Sequence, residues 1–81
     1  MAKVSNIVKL AGGWDFAWSA GPKEFEYVLA DLKAKIPVEA RAYNPETHRW
    51  WVALAYVREL SRLFSNWESA VDEYESQMSL F

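Results

Sequence analysis

The sequence predicts an α+β fold of order ββαββα. Two β-hairpins form one antiparallel sheet packed against one helix, and a second amphipathic helix follows. Three observations carry this reading. Two stretches alternate large apolar with small or polar residues around turn signals, one run between them has helical spacing, and helical spacing returns after Tyr56.

Ile7-Val8-Lys9-Leu10 reads as a short strand, and Ala11-Gly12-Gly13 as a tight turn whose glycines supply positive φ angles. Trp14 to Ser19 alternates with the period of a half-buried strand. Gly21-Pro22 then breaks the strand, with Pro22 at a first helical position. Phe25, Val28, Leu29, Leu32 and Ile36 make one apolar helical stripe, which Pro37 ends by forcing the preceding residue out of helical geometry.

Val38 to Ala42 and Arg49 to Leu54 read as a second hairpin around Asn44-Pro45-Glu46-Thr47-His48. A five-residue loop places Val38, Ala40 and Ala42 on one inner face with Trp50, Val52 and Leu54. Glu39, Arg41, Tyr43, Arg49, Trp51 and Ala53 are then outside, and a one-residue slip would swap the faces of one strand. From Tyr56, the residues Val57, Leu60, Leu63, Phe64, Trp67, Val71 and Tyr74 keep helical spacing. Ser65 and Glu68 match a capping box, so two helices could meet there. The unbroken apolar phase favours one helix, with a possible kink, to about Glu75. Residues 1–75 are expected to form a single domain and residues 76–81 a flexible tail.

Composition bounds the function. At 81 residues the chain holds one core, and it has no cysteine to staple it and one histidine, His48. Five Trp, four Tyr and four Phe supply bulk instead. No stretch approaches the roughly 18 apolar residues of a membrane span, and no signal-peptide pattern opens the chain, so a cytoplasmic protein without a membrane partner is expected. All nine bases and seven of the eleven acids lie in residues 1–64. The other four acids (Glu68, Asp72, Glu73 and Glu75) lie in residues 65–81, so a mildly basic body carries an acidic end.

There is no cysteine nucleophile, no phosphate loop opening a helix and no cluster of metal ligands, so no catalysis, cofactor or metal is expected. Arg41, Tyr43, Arg49 and Trp51 would place two cations and two flat rings on one exposed strand face. Cations meet phosphates and rings stack on unpaired bases, which points to DNA. The opposing reading is that Trp51 is covered by the acidic helix or by an oligomer partner.

The stretch Lys35-Ile36-Pro37, then Arg41-Ala42-Tyr43-Asn44-Pro45-Glu46-Thr47-His48-Arg49-Trp50-Trp51, then Tyr56 resembles the signature of HARP-type (HepA-related) domains. These are small modules beside annealing helicases, related to helicase damage-recognition domains. The resemblance spans roughly residues 14–64, with Asn44 where Asp is commoner. It implies binding of single-stranded or branched DNA without catalysis, with Trp50 in the core and Arg41, Arg49 and nearby bases touching DNA. The expected DNA-binding residues, from the hairpin face and the resemblance together, are Lys9, Arg41, Tyr43, His48, Arg49 and Trp51.

Gln77-Met78-Ser79-Leu80-Phe81 resembles a bacterial sliding-clamp-binding pentapeptide, in which Gln77, Met78, Leu80 and Phe81 would engage the partner. Acidic residues before a terminal Phe also resemble the tails of single-strand-binding proteins that recruit repair enzymes, and a self-packing tail is the third option. The leading expectation is therefore a DNA-binding accessory protein of replication or repair, of a kind phages encode. The alternative is a protein-interaction module or inhibitor of a host machine that does not touch DNA.

Overall fold

The computed structural model describes residues 2–78. Four strands form one antiparallel sheet, with β1 (Lys3–Leu10), β2 (Gly13–Ser19), β3 (Arg41–Asn44) and β4 (Arg49–Ala53) in spatial order β1-β2-β4-β3. Three helices, α1 (Pro22–Lys35), α2 (Val57–Leu63) and α3 (Trp67–Met78), contribute to one core, as do 3₁₀ turns at Val38–Ala40 and Leu54–Tyr56. The α+β class and the antiparallel four-stranded sheet match expectation. Where one helix was expected against the sheet, residues from all three helical segments and their ends line the core.

The first hairpin turns on two residues, Ala11 and Gly12, both at positive φ (51° and 78°), and Leu10 pairs with Gly13 across it. The turn is therefore not Gly12-Gly13. Gly13 serves the sheet instead. An added Cβ there would collide with the Val52 carbonyl oxygen and the Trp51 ring, so β2 meets β4 closely only because this position is bare. The first strand also starts earlier than expected, at Lys3, and carries a bulge. Asn6 (φ 51°) and Ile7 together oppose one residue of β2, between the Ser5–Ala17 and Val8–Asp15 pairs.

Helix α1 ends as its sequence dictates. Ile36 before Pro37 is extended (φ −115°, ψ 116°), and its N–H closes the helix on the Leu32 carbonyl. Pro37 then leads into the 3₁₀ turn at Val38–Ala40, which occupies residues expected to begin the third strand. The second hairpin loop is four residues, Pro45 to His48, and its register pairs Asn44 with Arg49, Tyr43 with Trp50, Ala42 with Trp51 and Arg41 with Val52. Directly opposed residues share a face. The faces of β4 are as expected, with Trp50 and Val52 inward. Those of β3 are swapped: Arg41 and Tyr43 lie on the helix side, and Ala42 and Asn44 on the open side. This is the one-residue slip that the alternating pattern allows.

The inward faces make an aromatic core. Phe16 meets Phe64 and Trp67 edge-on at centroid distances of 5.5 and 5.3 Å, Trp14 meets Trp67 at 6.1 Å, and Trp18 stacks on Phe25 at 4.4 Å. Val4, Leu32, Ile36, Val52 and Leu60 fill the rest.

The helical run after Tyr56 is broken rather than continuous. Phe64 is extended (φ −117°, ψ 119°), and residues 64–66 lie against the outer edge of β1. The Ser65 N–H and hydroxyl both donate to the Ala2 carbonyl at 3.1 and 3.3 Å. The Asn66 amide accepts from the Val4 N–H at 2.8 Å and donates to the Val4 carbonyl at 2.9 Å. The Ser65 hydroxyl, which the capping-box match assigned to α3, is thus given to Ala2, just ahead of β1. Helix α3 extends to Met78, so residues 76–78, expected in a flexible tail, are helical.

Candidate functional site

Six side chains were expected to share a DNA face, and the fold distributes them over three places. Lys9 is exposed on edge strand β1, with its Nζ 6.0 Å from the Trp14 ring centroid. Arg41 and Tyr43 are at the opposite edge, on β3. The Arg41 Nε–H donates to the Ile36 carbonyl at 2.9 Å, so this guanidinium satisfies a carbonyl at the C-terminal end of α1, where a cation is favoured. The Tyr43 hydroxyl is 3.0 Å from His48 Nδ1, and its ring lies 5.0 Å from that of Trp50. His48 itself closes the loop at φ 56°.

Arg49 and Trp51 occupy the other face of the sheet. The Arg49 Nε–H donates to an Asp15 carboxylate oxygen, and its Nη2 donates to the Asn6 carbonyl and, at 3.1 Å, to the Asp15 carbonyl. Both side chains of this ion pair are about a fifth exposed, at 23% and 22%. The bulge at Asn6 turns a carbonyl toward Arg49 and so completes its set of acceptors. Trp51 donates its indole N–H to the Leu10 carbonyl at 2.8 Å and lies over Gly13, half-buried. It is not fully in water and α3 does not cover it; its own strand neighbours do.

Two clefts have the lining that recognition sites use. The first, about 540 Å³, runs between α2 and α3. Its apolar lining comes from Trp14, Val57, Trp67 and Val71, and α3 adds Glu68, Asp72 and Glu75 against Arg58 on α2. The second, about 570 Å³, lies between α1 and edge strand β3, with Phe25, Leu29 and Lys33 on one wall and Arg41 and Tyr43 on the other. The first cleft explains the charge asymmetry of the sequence. Trp67, Ala70, Val71 and Tyr74 of α3 pack toward the core, which leaves its acids along the cleft and the solvent. That acidic run was the available signal, and on its own it reads equally well as a solvated helix.

Of the expected docking tail, Gln77 and Met78 are exposed in the last turn of α3, while Leu80 and Phe81 lie outside the described residues. Among the described residues, no three His, Cys, Asp or Glu side chains gather as metal donors, and no helix is long and apolar enough to cross a membrane. No family model, curated protein or solved structure matches this chain.

Proposed function

We propose that the chain is a non-catalytic protein-interaction domain that docks a basic amphipathic segment between α2 and α3. One observation carries this reading: an apolar cleft floored by Trp14 and Trp67 is flanked on one helix by three acids, Glu68, Asp72 and Glu75, with Val71 among them. Acids at i, i+4 and i+7 form one helical stripe, spaced to meet cations on a helix laid alongside. Helix-in-groove recognition uses this combination of apolar anchors and flanking charge. The charges steer the encounter and select the sign of the partner, while the apolar floor supplies most of the affinity.

DNA is the partner class that the hairpin suggests from sequence. In the folded protein Arg41, Tyr43 and His48 remain together at the β3 edge, while Arg49 is engaged by Asp15 and Asn6. Clamp docking through Gln77 and Met78 would draw on the last turn of α3.

A titration of ¹⁵N-labelled protein separates these readings, with a leucine-lysine amphipathic helical peptide, oligothymidine and forked DNA as probes. The expected result is micromolar binding of the peptide, with shifts at Trp67, Val71 and Val57, and at least fivefold weakening in Asp72→Lys. Shifts at Arg41 and Tyr43 with either DNA, alongside no response to the peptide, would replace this reading with DNA binding.

A further inference from the structure

We infer that the free edge of β3 is a second docking site, which takes an extended, carboxylate-bearing peptide as a fifth strand. Hydrogen-bond direction alternates along an antiparallel strand, so the register says which groups face outward. Leu10 and Gly13 close a two-residue hairpin, which makes them a hydrogen-bonded pair. Counting across the sheet from that pair, Trp51 and Arg49 turn their backbone groups toward β3, and Trp50 and Val52 turn theirs toward β2. The Leu54 N–H, two residues beyond Val52, donates to the Gly12 carbonyl at 3.2 Å, as this alternation requires. Ala42 and Asn44 therefore bond to β4, while Arg41 and Tyr43 point outward. The Arg41 N–H is taken by the Val38 carbonyl at the end of the 3₁₀ turn. The Arg41 carbonyl and both backbone groups of Tyr43 are left facing the open edge.

The two edges of the sheet are treated differently. Edge strand β1 is interrupted by its bulge, and at Val4 its outward N–H and carbonyl are both engaged by Asn66. Bulges and covering groups are how proteins protect an edge from pairing. No such cover lies on β3 among the described residues. Beside it the cleft to α1 is open, and Phe25, Tyr43 and Val38 at its walls and end are 40%, 45% and 70% exposed. A strand added to β3 would direct alternate side chains into this cleft, toward Leu29 and Phe25. An exposed edge beside a helix-walled apolar cleft is the arrangement used in β-strand addition.

Charge selects the occupant. The cleft lining contains two cations, Lys33 and Arg41, and no carboxylate. The Nε–H of Arg41 is used by Ile36, while its terminal Nη groups have no partner among the described residues. Alternate residues of a strand share a face, so the matching peptide carries valine and glutamate together at alternate positions, with threonine between them, and presents both to the apolar cleft and its cations. This site shares no residue with the cleft between α2 and α3, so the two proposals stand or fall separately.

The test is a titration of ¹⁵N-labelled protein with the peptide acetyl-Thr-Glu-Thr-Val-Thr-Glu-Thr-amide, whose glutamates and valine share one face. Three relatives serve as controls: two N-methylated at alternate residues, one in each phase, and one with lysine for every glutamate. The expected result is binding with the largest shifts at the Tyr43 amide and along residues 25–33. N-methylation in one phase should weaken it at least tenfold, and Lys33→Glu or the lysine peptide at least threefold. Equal binding of both N-methylated peptides, or no binding at millimolar concentration, overturns the proposal. So does oligothymidine shifting Tyr43 where the peptide does not. A Tyr43 shift that depends on protein concentration alone, with a dimer in sedimentation, would assign the edge to a second copy of this chain and also overturn it.

Discussion

At Arg49 the side chain meets a carboxylate and two carbonyls before it meets solvent. The cation was readable from sequence as a DNA contact because its partner, Asp15, is 34 residues away and nothing local links the two. The pairing arises only when β2 and β4 adjoin, and the third acceptor exists only because Asn6 is bulged. Arg49→Ala should therefore act on stability. Urea denaturation should show a loss of roughly 1–2 kcal/mol, the scale of a few charge-assisted hydrogen bonds at a partly exposed site. An unchanged midpoint, with reduced affinity for single-stranded DNA, would return Arg49 to the binding surface. Trp50 and Trp51 were separable from sequence because β4 is bounded by a clear turn. The facing of Arg41 and Tyr43 was not, since Ala40 and Ala42 are small enough to sit on either side of a sheet.

Among the elements, both hairpins and α1 were legible because each carries its own punctuation: Gly12 at a turn, Pro22 and Pro37 bracketing a helix, Asn44-Pro45 opening a loop. The break between α2 and α3 had only the capping-box match of Ser65 and Glu68, which the unbroken apolar phase outweighed. No Gly or Pro lies between Tyr56 and Met78, and the apolar phase survives the interruption. What separates the two helices is tertiary. Residues 64–66 are drawn against β1, where Asn66 stands in for a neighbouring strand by pairing with both backbone groups of Val4. Such a contact joins positions 62 residues apart and leaves no local pattern. Asn66→Ala leaves those two groups to water or to nothing, so we expect a loss of about 1–3 kcal/mol. Amide exchange should report faster opening at Val4 and little change within α1. If Val4 exchanges at its original rate, the edge is held by Ser65 and the packing of Trp67 rather than by the amide.

For the molecule as a whole, the clefts were invisible in sequence because each lies between elements that meet only in three dimensions. Their charges were visible, and so was the supply of aromatic rings. Those rings are shared: Trp14, Phe16 and Trp18 of β2 contact Phe25 of α1 and Phe64 and Trp67 at the junction with α3. With one aromatic core spanning sheet and helices, no part has a separate interior to retain. Tryptophan emission and far-ultraviolet circular dichroism should therefore report the same thermal midpoint. Midpoints differing by several degrees would mean that α3 leaves before the sheet melts. The junction at residues 64–66 also orders events during synthesis. Strand β1 leaves the ribosome well before the groups that complete it, for its outer edge is closed by Ser65 and Asn66 and its inner face by Trp67. A nascent chain ending at Leu63 would hold both hairpins and α1 but present β1 with an open edge and Trp14 and Phe16 without their covering ring. Over that interval the strand is available to any passing chain, and the hazard ends only when residue 67 arrives to close it.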